Sequence, residues 1–275
     1  MASSYHGPDT QSQLILAENF VSLGKKLEKR LPLRLRWLCR AIRTGDVQPD
    51  ARISHAQEGE DLALLRYFRN RSRGFYVDVG AHHPTRFSNT WAFYQRGWSG
   101  INVDPLPGTA TAFSTVRPRD ITLEAGVSDH VGELIYHQFK EPAFNTFSPS
   151  VARAAEAKGA RTIGTISVSV DTLTSILDRH LPPGRHIDFM TIDVEGFDEA
   201  VIRSLDFSKY RPEVLIVEMI GANIEEVLTS NLYISLREKN YRAHAKTGNS
   251  VILVDQGPRG EGLQSFDLES LHHGI

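Results

Sequence analysis

Gly74-Phe75-Tyr76-Val77-Asp78-Val79-Gly80-Ala81-His82-His83-Pro84 is answered further along the chain by Gly100-Ile101-Asn102-Val103-Asp104-Pro105. Phe75 to Val79 is a short apolar run ending in a carboxylate and a glycine, the pattern of a buried strand that delivers Asp78 and Gly80 to a crevice. The segment after it reads as a helix: Ser88 or Asn89 caps it, Trp91, Phe93 and Tyr94 supply apolar bulk, and Gly97 offers a left-handed stop. A second strand from Ile101 to Val103 ends in Asp104, near the chain separation at which the acid of a βαβ nucleotide site reaches a ribose. The pair reads as a nucleoside-cofactor site. The plainer reading is a strand end at Gly80 and an Asp-Pro turn at Asp104.

The glycine spacing bears on which nucleoside. A dinucleotide fingerprint needs a second glycine to let the backbone approach a pyrophosphate, and His82-His83-Pro84 stands where it would be. A cofactor without phosphate, such as S-adenosylmethionine, needs only the tight turn, a carboxylate near its amino acid end and an acid for the ribose hydroxyls.

A chain of 275 residues with 40% hydrophobic content buries a full core, and reads as an α/β domain (residues 51–255) between an N-terminal arm (1–50) and a tail (256–275). A formal net charge of -2 gives no general attraction to nucleic acid. The single cysteine, Cys39, excludes an internal disulfide or a cysteine metal cage and suits the reducing cytoplasm. No apolar run reaches the ~20 residues that span a bilayer, and no signal-peptide pattern opens the chain. From Lys25 to Arg43 the arm interleaves Lys and Arg with Leu31, Leu33, Trp37, Leu38 and Ile42. This stretch has two readings, an amphipathic helix with weak contact to an anionic membrane surface, or a helical arm packed on the domain or on a second subunit in a homodimer. Pro32, which interrupts the run, favours the second.

Gln57-Glu58-Gly59-Glu60-Asp61 precedes a helix with Leu62, Leu64, Leu65 and Phe68 at helical spacing. Its acids either complement the helix dipole or set Gln57 and Glu60 beside the cofactor's amino acid end. After a helix from Thr109 to Thr115, Ile121 to Val127 reads as a third strand, and Val127, Ser128 and Asp129 are candidates for reading an adenine. Glu133 to Phe139 and Ile166 to Val170 alternate as strands around the loop Phe144-Asn145-Thr146-Phe147-Ser148 and a short helix, an insertion suited to substrate contacts. Ile187 to Gly196 holds another buried strand with Asp193 at its end and Glu195 just beyond, and Val214 to Val217 runs into Glu218. Ligands of open parallel sheets bind at the carboxyl ends of the strands, so Asp78, Asp104, Asp193 and Glu218 are expected to face one crevice. A helix from Asn223 to Lys239 and a hairpin through Gly248-Asn249 complete a mostly parallel, seven-stranded Rossmann-like sheet with an antiparallel last strand.

Taken in order, the stretches Gln57 to Asp61, Phe75 to His82, Phe87 to Thr90, Gly97-Trp98, Asn102 to Pro105, Asn145 to Phe147, Ile187 to Phe189, Ile192 to Phe197, Tyr210 to Pro212 and Lys246-Thr247 carry a likeness. Over residues 53–254 the chain resembles the FkbM-type S-adenosylmethionine-dependent O-methyltransferases. The resemblance implies methyl transfer to a hydroxyl of a sugar or of a polyketide-like natural product. It also implies that Asp78, Gly80, His82, Ser88 and Asn89 surround the methionine part, with Asp104 at the ribose and Ser128 at the adenine. The preferred acceptor is a mannose-type oligosaccharide, as in the mycobacterial methylmannose polysaccharide enzymes.

An alkyl hydroxyl is a poor acid, so its proton needs a route out. Either a side chain among Asp193, Glu195, Glu218 and His137 takes it, or Mg²⁺ held by Asp193 and Glu218 lowers the pKa of the acceptor oxygen. Two other classes share some features. A nicotinamide-dependent oxidoreductase conflicts with the His82-His83-Pro84 loop, and a non-catalytic carbohydrate-binding module leaves the strand-end acids unexplained.

Overall fold

The computed structural model describes residues 52–257, so the expected basic arm and all but the start of the tail lie outside the described residues. Chain order runs α1 (Glu60–Tyr67), β1 (Phe75–Val79), α2 (Trp91–Gln95), β2 (Ser99–Val103), α3 (Thr109–Val116), β3 (Ile121–Leu123), β4 (Gly126–Val127) and β5 (Gly132–Phe139). It continues with α4 (Pro149–Ala157), β6 (Thr162–Asp171), α5 (Leu173–His180), β7 (Phe189–Ile192), α6 (Asp198–Arg203), β8 (Val214–Glu218), α7 (Ile224–Thr229), α8 (Asn231–Glu238), β9 (Tyr241–Lys246) and β10 (Ser250–Asp255). Seven strands form one sheet in the order β3-β2-β1-β7-β8-β10-β9, and a smaller sheet has the order β4-β6-β5. Within the large sheet only β10 runs against its neighbours, pairing antiparallel with both β8 and β9. This is the mostly parallel, seven-stranded Rossmann-like sheet with an antiparallel last strand that the sequence predicts.

Side-chain alternation along β1 divides the interior into two cores. Phe75, Val77 and Val79 join an aliphatic core with Leu173, Ile176 and Leu177 of α5 and Val201 and Ile202 of α6. Tyr76 enters an aromatic core on the other face with Phe68, Phe93, Trp98 and Phe189. Phe93 and Trp98 meet edge to face at 4.8 Å, a geometry that adds about 1 kcal/mol beyond burial. Phe75 pairs with Ser99 and Val79 with Val103, so β1 and β2 end level with one another.

Two elements differ from the sequence reading. Ile121 to Val127 is not one strand: β3 stops at Leu123, and β4 joins the smaller sheet beside Val170 and Asp171 of β6. Between them Glu124 turns aside to accept hydrogen bonds from the backbone N–H groups of Gly108 and Ala110 at the start of α3. The expected helix from Asn223 to Lys239 is two helices. Ser230 ends α7 and caps α8 by accepting from the Tyr233 N–H, while Asn223 and Glu226 form a capping box on α7.

Arg117 ties the aromatic side of the sheet to the loop after β1. Its side chain is fully buried and donates to the Pro84 carbonyl at 2.6 Å, Thr90 Oγ1 at 2.8 Å and Ser88 Oγ at 2.7 Å. Ser88 Oγ in turn accepts from the Trp91 N–H, which gives α2 its start. Asp120, 3.8 Å from the guanidinium, accepts from Tyr76 Oη, the Gly100 N–H and Asn102 Nδ2. Removing one partner of a buried ion pair leaves the other uncompensated. Arg117→Ala is expected to cost about 3–5 kcal/mol in urea unfolding, whereas Arg185→Ala, an exposed cation 5.5 Å from the Phe75 ring, costs under about 1 kcal/mol.

Candidate active site

The carboxyl ends of β1, β2, β7 and β8 meet around Gly80. Its φ is 82°, and a Cβ on it would lie 1.7 Å from the Asp193 carbonyl oxygen, so no other residue fits between these two strand ends. The chain turns sharply there, with the Gly80 and Ala81 N–H groups both directed to the Val103 carbonyl. Asp104, just past β2, bridges two loops by accepting from the His82 N–H and the Leu106 N–H, each at 2.8 Å. Its carboxylate is buried yet borders the main cavity, with lone pairs left for further donors.

Gly80, His82 and Phe87 form one wall of that cavity, Asp104, Pro105 and Leu106 a second, and Ala125 and Val127 a third. Tyr136 of β5 and, from the segment that follows it, Pro142, Asn145 and Phe147 supply the roof, and Asp193 to Glu195 close the far side. A smaller cavity, sharing Gln57, Phe87 and Asp193 with the first, continues to Glu60, Asn89 and Glu218. Glu60 is held there by accepting from Thr247 Oγ1 and the Glu58 N–H, and Asn89 Nδ2 donates to Thr191 Oγ1.

Single carboxylate oxygens of Asp193, Glu195 and Glu218 lie within 4.8 Å of one another. Burial is the main cause of their altered acidity, and mutual repulsion adds to it. Glu195 is pushed up to about 8, with Asp193 and Asp198 contributing. Asp198, in the first turn of α6, is raised to about 7 by burial and by Asp193. Asp193 and Glu218 share a hydrogen bond, and burial with the charge of Asp193 drives the Glu218 carboxyl far above the ordinary range. The acidic turn is held in an unfavourable conformation. Glu195 has φ 50°, its carbonyl accepts from Thr146 Oγ1 at 2.7 Å, and Asp198 accepts from the Gly196 N–H at 3.2 Å. Among the described residues, His82, Phe87 and Glu195 are three of the four non-glycine residues with positive φ, and all three line the main cavity.

The methyltransferase FkbM domain matches residues 78–243. The chain belongs to the FkbM methyltransferase family. It is therefore a S-adenosylmethionine-dependent methyltransferase. No curated protein matches the sequence. Among solved structures the chain is similar to a TehB-like SAM-dependent methyltransferase from Corynebacterium glutamicum, with 8% identity, a TM-score of 0.37 and coverage of 88% of this chain and 99% of that one. An O-methyltransferase from Bacillus cereus in complex with SAH is similar at 12% identity and a TM-score of 0.36, covering 87% and 100%. The O-methyltransferase TomG from Streptomyces achromogenes, in complex with SAM, is similar at 14% identity and a TM-score of 0.36, covering 85% and 96%. Likeness at this level carries no information about the acceptor.

The residues of the FkbM domain fit the cofactor that the family implies. The acids suit a group carrying sulfonium and ammonium charges, and His82 Nε2 is a buried polar atom without a partner on the cavity wall. Burial, with Arg86 and His83 nearby, lowers the His82 pKa, so its imidazole is neutral at pH 7.

Not every expected residue reaches the cavities. Asp78 does not: β1 continues to Val79, so its carboxylate leaves on the Tyr76 face and accepts from Thr90 Oγ1, and burial raises it to about 6. Thr90, not Ser88 or Asn89, stands at the N-cap of α2, and Ser88 Oγ accepts from the Trp91 N–H and from Arg117. Ser128 is buried with its N–H on the Asp171 carbonyl, and Asp129 pairs with Arg203 and His130 on the surface, so Ala125 and Val127 line the wall assigned to them. His137 lines neither cavity, because strand alternation puts its neighbour Tyr136 there. Thr146 lies in the loop that the sequence marks for substrate contacts and instead holds the Glu195 carbonyl, while Tyr136, Asp198 and Arg117 are site or support residues that the sequence reading does not name. The alternation of Glu133 to Phe139 carried a signal for Tyr136, but none indicated which face would be inward. A second group, His186, Asp188 and Glu213, already has a cation, since Arg71 pairs with both acids. No helix among the described residues is long and apolar enough to cross a membrane.

A carboxyl whose folded pKa is raised contributes stability that is fully present below its unfolded pKa and is lost as pH rises through the folded value. For Asp198 and Glu195 that window runs from the ordinary carboxylate range up to about 7 and about 8. The melting temperature of the cofactor-free FkbM domain is expected to fall by several degrees between about pH 5 and about pH 9. Glu195→Gln is expected to flatten that slope in thermal scans.

Proposed function

We propose that the protein transfers the methyl group of S-adenosylmethionine to a hydroxyl of a sugar or oligosaccharide, with a mannose-type oligosaccharide of bacterial polysaccharide biosynthesis as the preferred acceptor. The observation that carries hydroxyl methylation is the convergence of Asp193, Glu195 and Glu218 beside the two cavities, with Glu218 also lining a separate surface groove. When bound, the cofactor supplies an activated methyl, which leaves the protein to align the acceptor oxygen and accept its proton.

Asp104 serves the ribose hydroxyls with its remaining lone pairs, and Ala125 and Val127 pack on the adenine. Gln57, Glu60 and Asn89 attend the amino acid end in the smaller cavity. Asp78 and Ser88 act indirectly by holding the loop that presents Gly80 and His82. Glu195 is the proton acceptor of choice, because a carboxyl with a pKa of about 8 is poised near the working pH and cationic charge nearby favours its ionised form. Sugar hydroxyls suit the polar edge of the groove, where Glu199, Arg203 and Ser230 lie beyond Glu218. A polyketide hydroxyl is the alternative acceptor.

The same three oxygens support a second reading, in which Asp193, Glu195 and Glu218 hold Mg²⁺ as an oxygen-ligated hard cation next to the acceptor. The two differ in their response to chelation. With Glu195 as base, activity survives dialysis against EDTA. With the cation, activity is lost and returns with Mg²⁺.

Calorimetric titration with S-adenosylhomocysteine is expected to show binding that Asp104→Ala weakens about tenfold or more, with no binding of NADH. The reverse pattern would return the protein to the oxidoreductase class. In a mannoside methylation assay, Glu195→Gln is expected to lower kcat about 10²–10⁴-fold while S-adenosylhomocysteine affinity stays within about threefold.

A further inference from the structure

We infer that a basic groove at the opposite end of the sheet from the active site is a second binding site, for a ligand that carries phosphate groups. The groove lies at the amino ends of β1, β2, β3 and β7 and has a volume of about 950 Å³. Arg73, Arg96, Arg119 and Arg185 line it, all four of them exposed, with His186 beside them. Asp188 is the one acid among the lining residues, and it is already committed, accepting from the Phe75 N–H and pairing with Arg71. No carboxylate pairs with any of the four arginines among the described residues, although the chain as a whole has a formal net charge of -2. The length of β1, roughly 16 Å, separates this groove from Gly80, so its occupant does not touch the reacting hydroxyl.

Helix ends account for part of this charge. Arg96 stands at the C-cap of α2 and Arg119 follows α3, where a cation complements the negative end of a helix. Arg73 and Arg185 have no such role, because α1 ends at Tyr67 and α5 at His180, more than a turn earlier. The α2 carbonyls that would repel an anion are covered. Arg119 donates to the Tyr94 carbonyl at 2.5 Å, with its guanidinium 3.8 Å from the Tyr94 ring, and the Phe93 carbonyl accepts from the Arg96 and Trp98 N–H groups. Arg185 is presented by a turn through Pro182-Pro183-Gly184, closed by its own N–H on the Pro182 carbonyl at 3.0 Å. Apart from those two prolines, no apolar side chain larger than glycine lines the groove, so an apolar occupant would gain little. Guanidinium forks bind phosphate oxygens in pairs, and four of them suit a ligand with at least two phosphate groups. The phosphate is free in solution or part of a lipid surface, and the recognition chemistry is the same.

The test is calorimetric titration of the full chain with inorganic pyrophosphate and with orthophosphate, S-adenosylhomocysteine being saturating so that the cofactor cavities are filled. Pyrophosphate is expected to saturate and to bind at least about tenfold more tightly than orthophosphate. Arg73→Gln combined with Arg185→Gln is expected to weaken pyrophosphate binding about tenfold or more. Arg153→Gln, at an exposed position on α4 outside the groove, is expected to change it by less than about twofold. Unchanged S-adenosylhomocysteine affinity in each variant is the control for folding. No saturable pyrophosphate binding, binding that the double substitution leaves within about twofold, or an equal loss with Arg153→Gln would overturn the inference. Sedimentation with phosphatidylcholine vesicles, with and without phosphatidylglycerol, distinguishes the two sources of phosphate. Sedimentation with the anionic vesicles alone, displaced by pyrophosphate and lost in the double variant, would assign the groove to lipid headgroups. Pyrophosphate binding without sedimentation would assign it to a free ligand. Vesicle binding that persists in the double variant, with pyrophosphate unbound, would place the anion contact elsewhere and overturn the inference.

Discussion

The close approach of Gly80 to the Asp193 carbonyl is the constraint on which the site depends. A side chain at position 80 would sit 1.7 Å from that oxygen, so the ends of β1 and β7 come together only because Gly80 has no Cβ and takes φ 82°. The chain then folds back over β2, which brings the His82 N–H to Asp104, and Asp193, its N–H on the Val79 carbonyl, lines both cavities. Sheet pairing sets the levels of the strands, and the glycine permits the turn that makes a crevice of them.

Around this crevice the protein concentrates cost in one place. Asp193, Glu195, Asp198 and Glu218 are all less acidic than ordinary carboxyls, chiefly because they are withdrawn from water, and each suffers from its neighbours' charge. Backbone strain collects at the same wall, where His82, Phe87 and Glu195 take left-handed conformations that β-carbons disfavour. Specific bonds maintain it: Thr146, in the loop after β5, holds the Glu195 carbonyl, and Asp198 holds the N–H of Gly196. A cluster of this kind is relieved by positive charge, which the sulfonium cofactor of this family carries.

Much of the fold was legible along the chain, for local reasons. Uniformly apolar runs such as Val214 to Val217 can only be strands covered on both faces, and all four of their side chains are buried. Gly97 with φ 90° ends the segment holding α2, and Gly248-Asn249 turns the last hairpin, because turn chemistry acts within a few residues. The acids Asp104, Asp193 and Glu218 stand at strand ends and reach the cavities. Asp78 does not, because one further residue of β1 puts it inside the strand, and a shift of one position sends a side chain to the opposite face.

By itself, the sequence determined the type and order of the principal strands, the antiparallel last strand and the family, since these rest on apolar runs, turn residues and short motifs that are contiguous in the chain. Only the tertiary structure decided which side chains meet. Arg117 ends up under the loop at Pro84 and Ser88, Thr146 against Glu195, and Tyr136 rather than His137 in the cavity roof. It also decided that Ile121 to Val127 divides between two sheets. The physical reason is that strand alternation and helical period state that a residue has a face, whereas the layer that covers that face is supplied by residues far away in the chain.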